Sequence, residues 1–138
     1  MVFTQNPIAT FVKQPQNGKA TSNNTTNTSI YTAGTNGTKI TALNATTNSA
    51  AAVSCSVQLL NGATLYTIGT VSIPANAGTN TTAVAVNLLS TVNIPSLPTD
   101  SDGNPYIFLI SGDQLQITLG AAIASPNLAT FVCWGGDF

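Results

Sequence analysis

Histidine, glutamate and arginine are absent from this chain, and charge of either sign is scarce. Three lysines and four aspartates make up 5% of the residues, against about a quarter in an average globular protein. Each absence closes a class of function. Acid–base catalysis near neutral pH draws mostly on His, Glu, Asp or Lys, and without His no Ser-His-Asp or Cys-His arrangement can be assembled. Without Arg, and with Lys13, Lys19 and Lys39 dispersed, the chain cannot neutralise a row of phosphates, so nucleic-acid binding is not expected. A carboxylate pair for glycoside hydrolysis would have to come from Asp100, Asp102, Asp113 and Asp137. A strand about 17 Å long separates the first two from Asp113, too far for a retaining pair unless the chain folds back. An enzyme is not expected.

Long apolar runs are missing too. No stretch of about 18 apolar residues exists, so no membrane span is expected. The start, MVFTQNPIATFVKQPQ, lacks the charged opening and continuous apolar core of a secretory signal. Folding in a reducing cytosol is the matching expectation, with Cys55 and Cys133 as buried free thiols rather than a disulfide. Asn-x-Ser/Thr sites at Asn23, Asn24, Asn27, Asn36, Asn44 and Asn80 are then read as unmodified products of an Asn/Thr-rich composition.

What fills the polar positions is Thr, Asn, Ser and Gln. With a formal net charge of −1, self-repulsion is weak and surfaces associate readily, which suits a protein packed against copies of itself or a scaffold. Residues 1–13 carry the apolar group Val2, Phe3, Ile8, Phe11 and Val12, and Gln14 to Ser29 are polar apart from Ala20. A segment that polar cannot offset its own ordering entropy, so residues 1–28 are expected to form an extended arm whose apolar tip docks on a neighbour.

From residue 29 short strands and turn signals alternate. Strands are expected at 29–32, 39–46 and 52–60, the last alternating Val53, Cys55, Val57 and Leu59 against Ser54, Ser56 and Gln58. Asn61-Gly62 supplies a type I′ hairpin turn into 64–68, and Gly69 marks a bulge. Further strands are expected at 83–89, 106–110, 115–119 and 128–134, with one possible helical turn at 121–124 capped in length by Pro126. Residues 106–110 and 115–119 read as a hairpin closed by Ser111-Gly112-Asp113-Gln114. This spacing, without a helical period, predicts an all-β protein: a single β-sandwich or jelly-roll-like domain over 29–138 with an extended N-terminal arm.

Few residues are candidates for a site. Asp100, Asp102 and Asn104 resemble the opening of a calcium loop, but the position of its closing carboxylate is Ser111, and an Asp/Asn/Gly turn explains the same residues. No metal or cofactor is expected. Gly135-Gly136-Asp137-Phe138 shares letters with a cyclase signature, which continues into Glu inside a large α/β domain; here it does not. Trp134, Tyr106, Tyr66 and Tyr31 are read as core or interface aromatics rather than a sugar platform. Phe3, Phe11, Val12, Trp134 and Phe138 are the interface candidates.

Taken in order, MVFTQNP at the start, YTAGTNGTKI at 31–40, IGTVSIPANAGT at 68–79, AVNLL at 85–89, DSDGNPYIFLISGDQL at 100–115 and the final GGDF cover most of the chain. This succession resembles small virion structural proteins of tailed bacteriophages and prophages. The resemblance implies a β-sandwich subunit present in many copies that decorates or cements the capsid, with the major capsid protein and copies of itself as partners. It implies a place on the capsid surface after synthesis in the bacterial host cytoplasm, and no catalytic residues. A tail, neck or fibre component, or a carbohydrate- or receptor-binding β-sandwich module, are the alternatives.

Overall fold

The computed structural model describes residues 14–138. These residues contain no helix, and among them nine strands form two antiparallel sheets: β1 (Gln14–Ser22), β2 (Thr28–Thr32), β3 (Thr38–Thr47), β4 (Val53–Asn61), β5 (Thr64–Ile73), β6 (Val86–Asn87), β7 (Ile107–Leu109), β8 (Gln114–Leu119) and β9 (Ala129–Asp137). Sheet A runs β1-β9-β3-β6, with β7 pairing the other half of the same β3 edge, and sheet B runs β2-β8-β4-β5. The pairs β4·β5, β3·β6 with β3·β7, β2·β8 and β1·β9 nest inside one another. The chain is in effect one long hairpin wound around a core, and the winding adds the pairs β3·β9 and β4·β8. That is a jelly roll.

Period-two alternation aims one face of each sheet inward. Val53, Cys55 and Val57 of β4 meet Ala129, Phe131 and Cys133 of β9 and Ile40, Leu43 and Ala45 of β3 in one buried cluster. Both cysteines are free thiols and buried. Burial in this apolar interior pushes the Cys55 thiol up to about 12 and raises that of Cys133 as well. The irregular stretch from Pro74 to Tyr106 also feeds the core, through Ala77, Leu88, Leu89, Ile94 and Leu97. Gly69 lies at the β5 bulge opposite Val57, and a Cβ there would stand 2.9 Å from Ile94 Cγ1. The bulge thus lets Ile94 pack against bare backbone.

Several sequence expectations change. Gln14–Ser22 is an edge strand paired residue for residue with β9, so this part of the expected 1–28 arm belongs to the sandwich. Its inward positions, Gly18, Ala20 and Ser22, are small because β1 crosses close to β2: a Cβ on Gly18 would collide with the Ile30 carbonyl oxygen. Tight backbone approach and pairing with β9, rather than large side chains, hold this polar strand. Residues 106–110 and 115–119 do not form a hairpin. β7 joins sheet A and β8 joins sheet B, so the turn between them crosses the sandwich.

The β4–β5 turn is shifted by one residue. Asn61 pairs with Thr64, leaving Gly62-Ala63 as the central pair with φ +61 at Gly62, the requirement of a type II′ turn. The strand expected over 83–89 shrinks to Val86–Asn87, and Val84 is exposed.

Candidate interaction surface

The winding brings two sets of connections to opposite ends of the sandwich. At one end the β1–β2, β3–β4, β5–β6 and β8–β9 connections are stitched by Ile123 N to Asn23 O (2.9 Å), Asn76 N to Ser49 O (2.8 Å) and Leu128 N to Asn48 Oδ1 (2.8 Å). At the other end lie the β2–β3, β4–β5 and β7–β8 connections, with the start of β1 and the end of β9. Asp113 and Asp137 organise that second end.

Asp113 is buried at the sheet crossing. Its carboxylate accepts from Asn61 Nδ2 at 2.6 Å, and its carbonyl accepts from Ala33 N at 2.8 Å, which ties three connections together. Asp137 Oδ1 accepts from Thr38 Oγ1 at 2.6 Å and from Tyr31 OH at 2.9 Å, joining β9 and β3 of sheet A to β2 of sheet B. Desolvation by burial, reinforced by the hydrogen bond to Asp137, pushes the Tyr31 phenol up to about 12. Both aspartates are spent on structure rather than left facing a cleft.

Asp100 is likewise committed. Its Oδ1 accepts from the backbone N–H of Asp102 and of Asn104, each at 2.9 Å, and these bonds, that from Asn104 foremost, hold its carboxyl below the ordinary value. Asp102 and Asn104 are exposed, and among the described residues no three His, Cys, Asp or Glu side chains gather. The stretch is an Asx-stitched turn.

The remaining candidates meet on the outer face of sheet A. Ile107 and Leu109 point inward and are buried, so Phe108 between them points out, 42% exposed. On β9, Phe131 and Cys133 are buried while Trp134 is 47% exposed. Phe108 is an edge-to-face neighbour of Tyr106 (4.7 Å between centroids) and packs on Phe138 at 5.8 Å. Lys39, paired with both Phe108 and Gly136, places its Nζ 4.7 Å from the Tyr106 ring centroid, a cation–π contact. Ile110 is exposed just beyond β7. Tyr106, Phe108 and Phe138 thus cluster at the second end. Trp134 is exposed on the same face one row further along, level with Asn17 and Ala42. The cluster and Trp134 together make up the aromatic strip.

Two expected interface residues, Trp134 and Phe138, therefore share this face, whereas Phe3, Phe11 and Val12 lie outside the described residues. Tyr31 is engaged with Asp137, and Tyr66 sits on β5 of sheet B. Phe108 and Ile110 were hidden in the sequence because Tyr106-Ile107-Phe108-Leu109-Ile110 is apolar at every position, which masks the period-two signal. No family model matches the chain, and no curated protein and no solved structure was found to match it.

Proposed function

We propose that this protein is a non-enzymatic structural subunit of a tailed-phage virion, a capsid decoration or cement protein that bridges capsomers. The observation that carries the reading is the pairing of a jelly-roll sandwich with a nearly uncharged surface that leaves an aromatic strip uncovered, a surface suited to permanent contact rather than to free monomers. The ordered succession of motifs resembling phage virion proteins supports it, and the jelly roll, a fold common in viral shells, supports it by analogy. The partners on this reading are the major capsid protein and further copies of the chain, and residues 1–13 reach a neighbouring subunit. Many modest contacts, repeated over a shell, then resist internal pressure.

The test is the copy number of the protein in purified particles, by quantitative mass spectrometry. Hundreds of copies are expected for decoration. A few to a dozen would move the protein to a neck, tail or fibre role, and its absence from particles would overturn the virion reading. One observation favours a second reading: Trp134, Phe108 and Tyr106 on one face could stack on sugar rings, as in a carbohydrate- or receptor-binding module. Binding of the isolated protein to host glycans, and not to empty capsids, would select it.

A further inference from the structure

The aromatic strip lies beside the point where residues 1–13 join the fold. Gln14 pairs with Asp137, next to Phe138, so the chain enters β1 at the same end of sheet A as the strip. β1 runs antiparallel to β9, so Gln14 opens β1 beside the close of β9.

Two sequence features argue against this segment doubling back onto its own subunit's strip. Gln14 precedes Pro15, and a residue before proline is held extended. Ile8 to Gln14, IATFVKQ, contains no Gly, Asn, Asp or Pro, the residues that reverse a chain. Thirteen residues can reach about 40 Å, farther than the roughly 30 Å spanned by a nine-residue strand. They include Val2, Phe3, Ile8, Phe11 and Val12 but only one charge, Lys13. The apolar content of this segment matches what the strip exposes.

We propose that the outer face of sheet A, at Trp134, Phe108 and Phe138, is the seat for residues 1–13 of a second copy of this chain, with Phe3 and Phe11 as the side chains that fill it. Each copy then gives an arm and receives one. Such a head-to-tail contact closes into rings or extends into a lattice according to its rotation. The proposal deepens the many-copy reading and rests on it for its purpose, but its test uses isolated protein, so either can fail without the other.

Trp134 is the only tryptophan, so its emission reports directly on whether the seat is covered. Full-length protein is diluted about a hundredfold, which separates a reversible complex by mass action, while emission and light-scattering mass are followed. The expected result is a red shift that tracks the fall in mass. The full-length double variant Phe3→Ser, Phe11→Ser should be monomeric and red-shifted at every concentration, with the unfolding midpoint of the diluted, dissociated wild type to show that it is folded. Phe108→Ser damages the seat but keeps the arm. Mixing it with the arm variant should restore a one-to-one complex and the blue emission of the arm variant's Trp134. Three results overturn the proposal: emission that depends on neither concentration nor the arm substitutions; blue emission in a monomer that only the arm substitutions abolish, meaning that each arm covers its own subunit; or a complex indifferent to Phe3 and Phe11.

Discussion

The outer faces of the two sheets differ in how their side chains are satisfied. Across sheet B the outward side chains line up as Ser72 with Ser54, Thr70 with Ser56 and Thr118, and Thr67 with Gln58, Gln116 and Ser29. They bond to one another: Ser56 Oγ and Thr70 Oγ1 lie 2.9 Å apart, Thr118 Oγ1 is 2.7 Å from Gln58 Oε1, and Gln116 Nε2 donates to Gln114 Oε1 at 2.9 Å. Thr118 Oγ1 also meets Asn27 Oδ1, and its single proton serves one acceptor at a time. Gln58 and Gln116 are buried within this lattice although they point away from the core. The outer face of sheet A also has polar rows, but it carries Phe108 and Trp134, each about half exposed. Polar groups that satisfy each other hold a face together and ask little of a partner, whereas half-covered aromatics leave apolar area that association can bury.

The largest expected effect separates the two sides of one strand. Phe131→Ala empties a fully buried site and should cost about 3–5 kcal/mol. Trp134→Ser, three residues along on the outer side and about half exposed, should cost only about 1 kcal/mol in dilute solution. Urea unfolding followed by circular dichroism measures both, and comparable losses would erase the distinction between core and spare surface on sheet A. Gly18→Val comes next, at about 1–3 kcal/mol, because the new side chain meets Ile30 and Cys133. A neutral result would return β1 to the status of an arm.

On sheet B, Gln58→Ala should cost about 1 kcal/mol, since Thr118 loses an acceptor and Thr67 a donor. If it costs nothing, the polar lattice does not hold its face together and the contrast between the faces fails. The alkaline limb tests the joint between the sheets. The Tyr31 phenol is raised from 10.0 to about 12, so its contribution is fully present below pH 10 and is lost as pH rises through about 12. Tyr31→Phe should flatten that decline, read from urea midpoints at a series of alkaline pH values. Asp100→Ala should show the smallest shift, at the exposed turn. The Asp100 carboxyl is lowered, so its contribution is present above the ordinary carboxyl value and fades as pH falls through the folded one. The wild type's small advantage over Asp100→Ala should therefore vanish in acid, measured as the difference in melting temperature.

The contrast between the faces was half legible. Ser54, Ser56 and Gln58 alternate with Val53, Cys55 and Val57, so the polar side of β4 could be read directly, as could the outward Trp134 against Phe131 and Cys133. Phe108 could not, because its neighbours are all apolar. Nor could β1, whose Gly18, Ala20 and Ser22 look like a polar linker until β9 and β2 stand beside them.

By itself, then, the order of residues determined the all-β class, the inward set on β4 and β9, the bulge at Gly69 and a composition that lacks histidine, glutamate and arginine. These are local or compositional properties: alternation assigns each residue a side regardless of which strand lies next to it. Tertiary structure decided which strands pair, that the turn before Asp113 crosses between sheets, and that the strip faces out beside the start of β1. Backbone hydrogen bonds are alike for every sequence, so partner and sheet membership follow from closing the whole wound ribbon around one core.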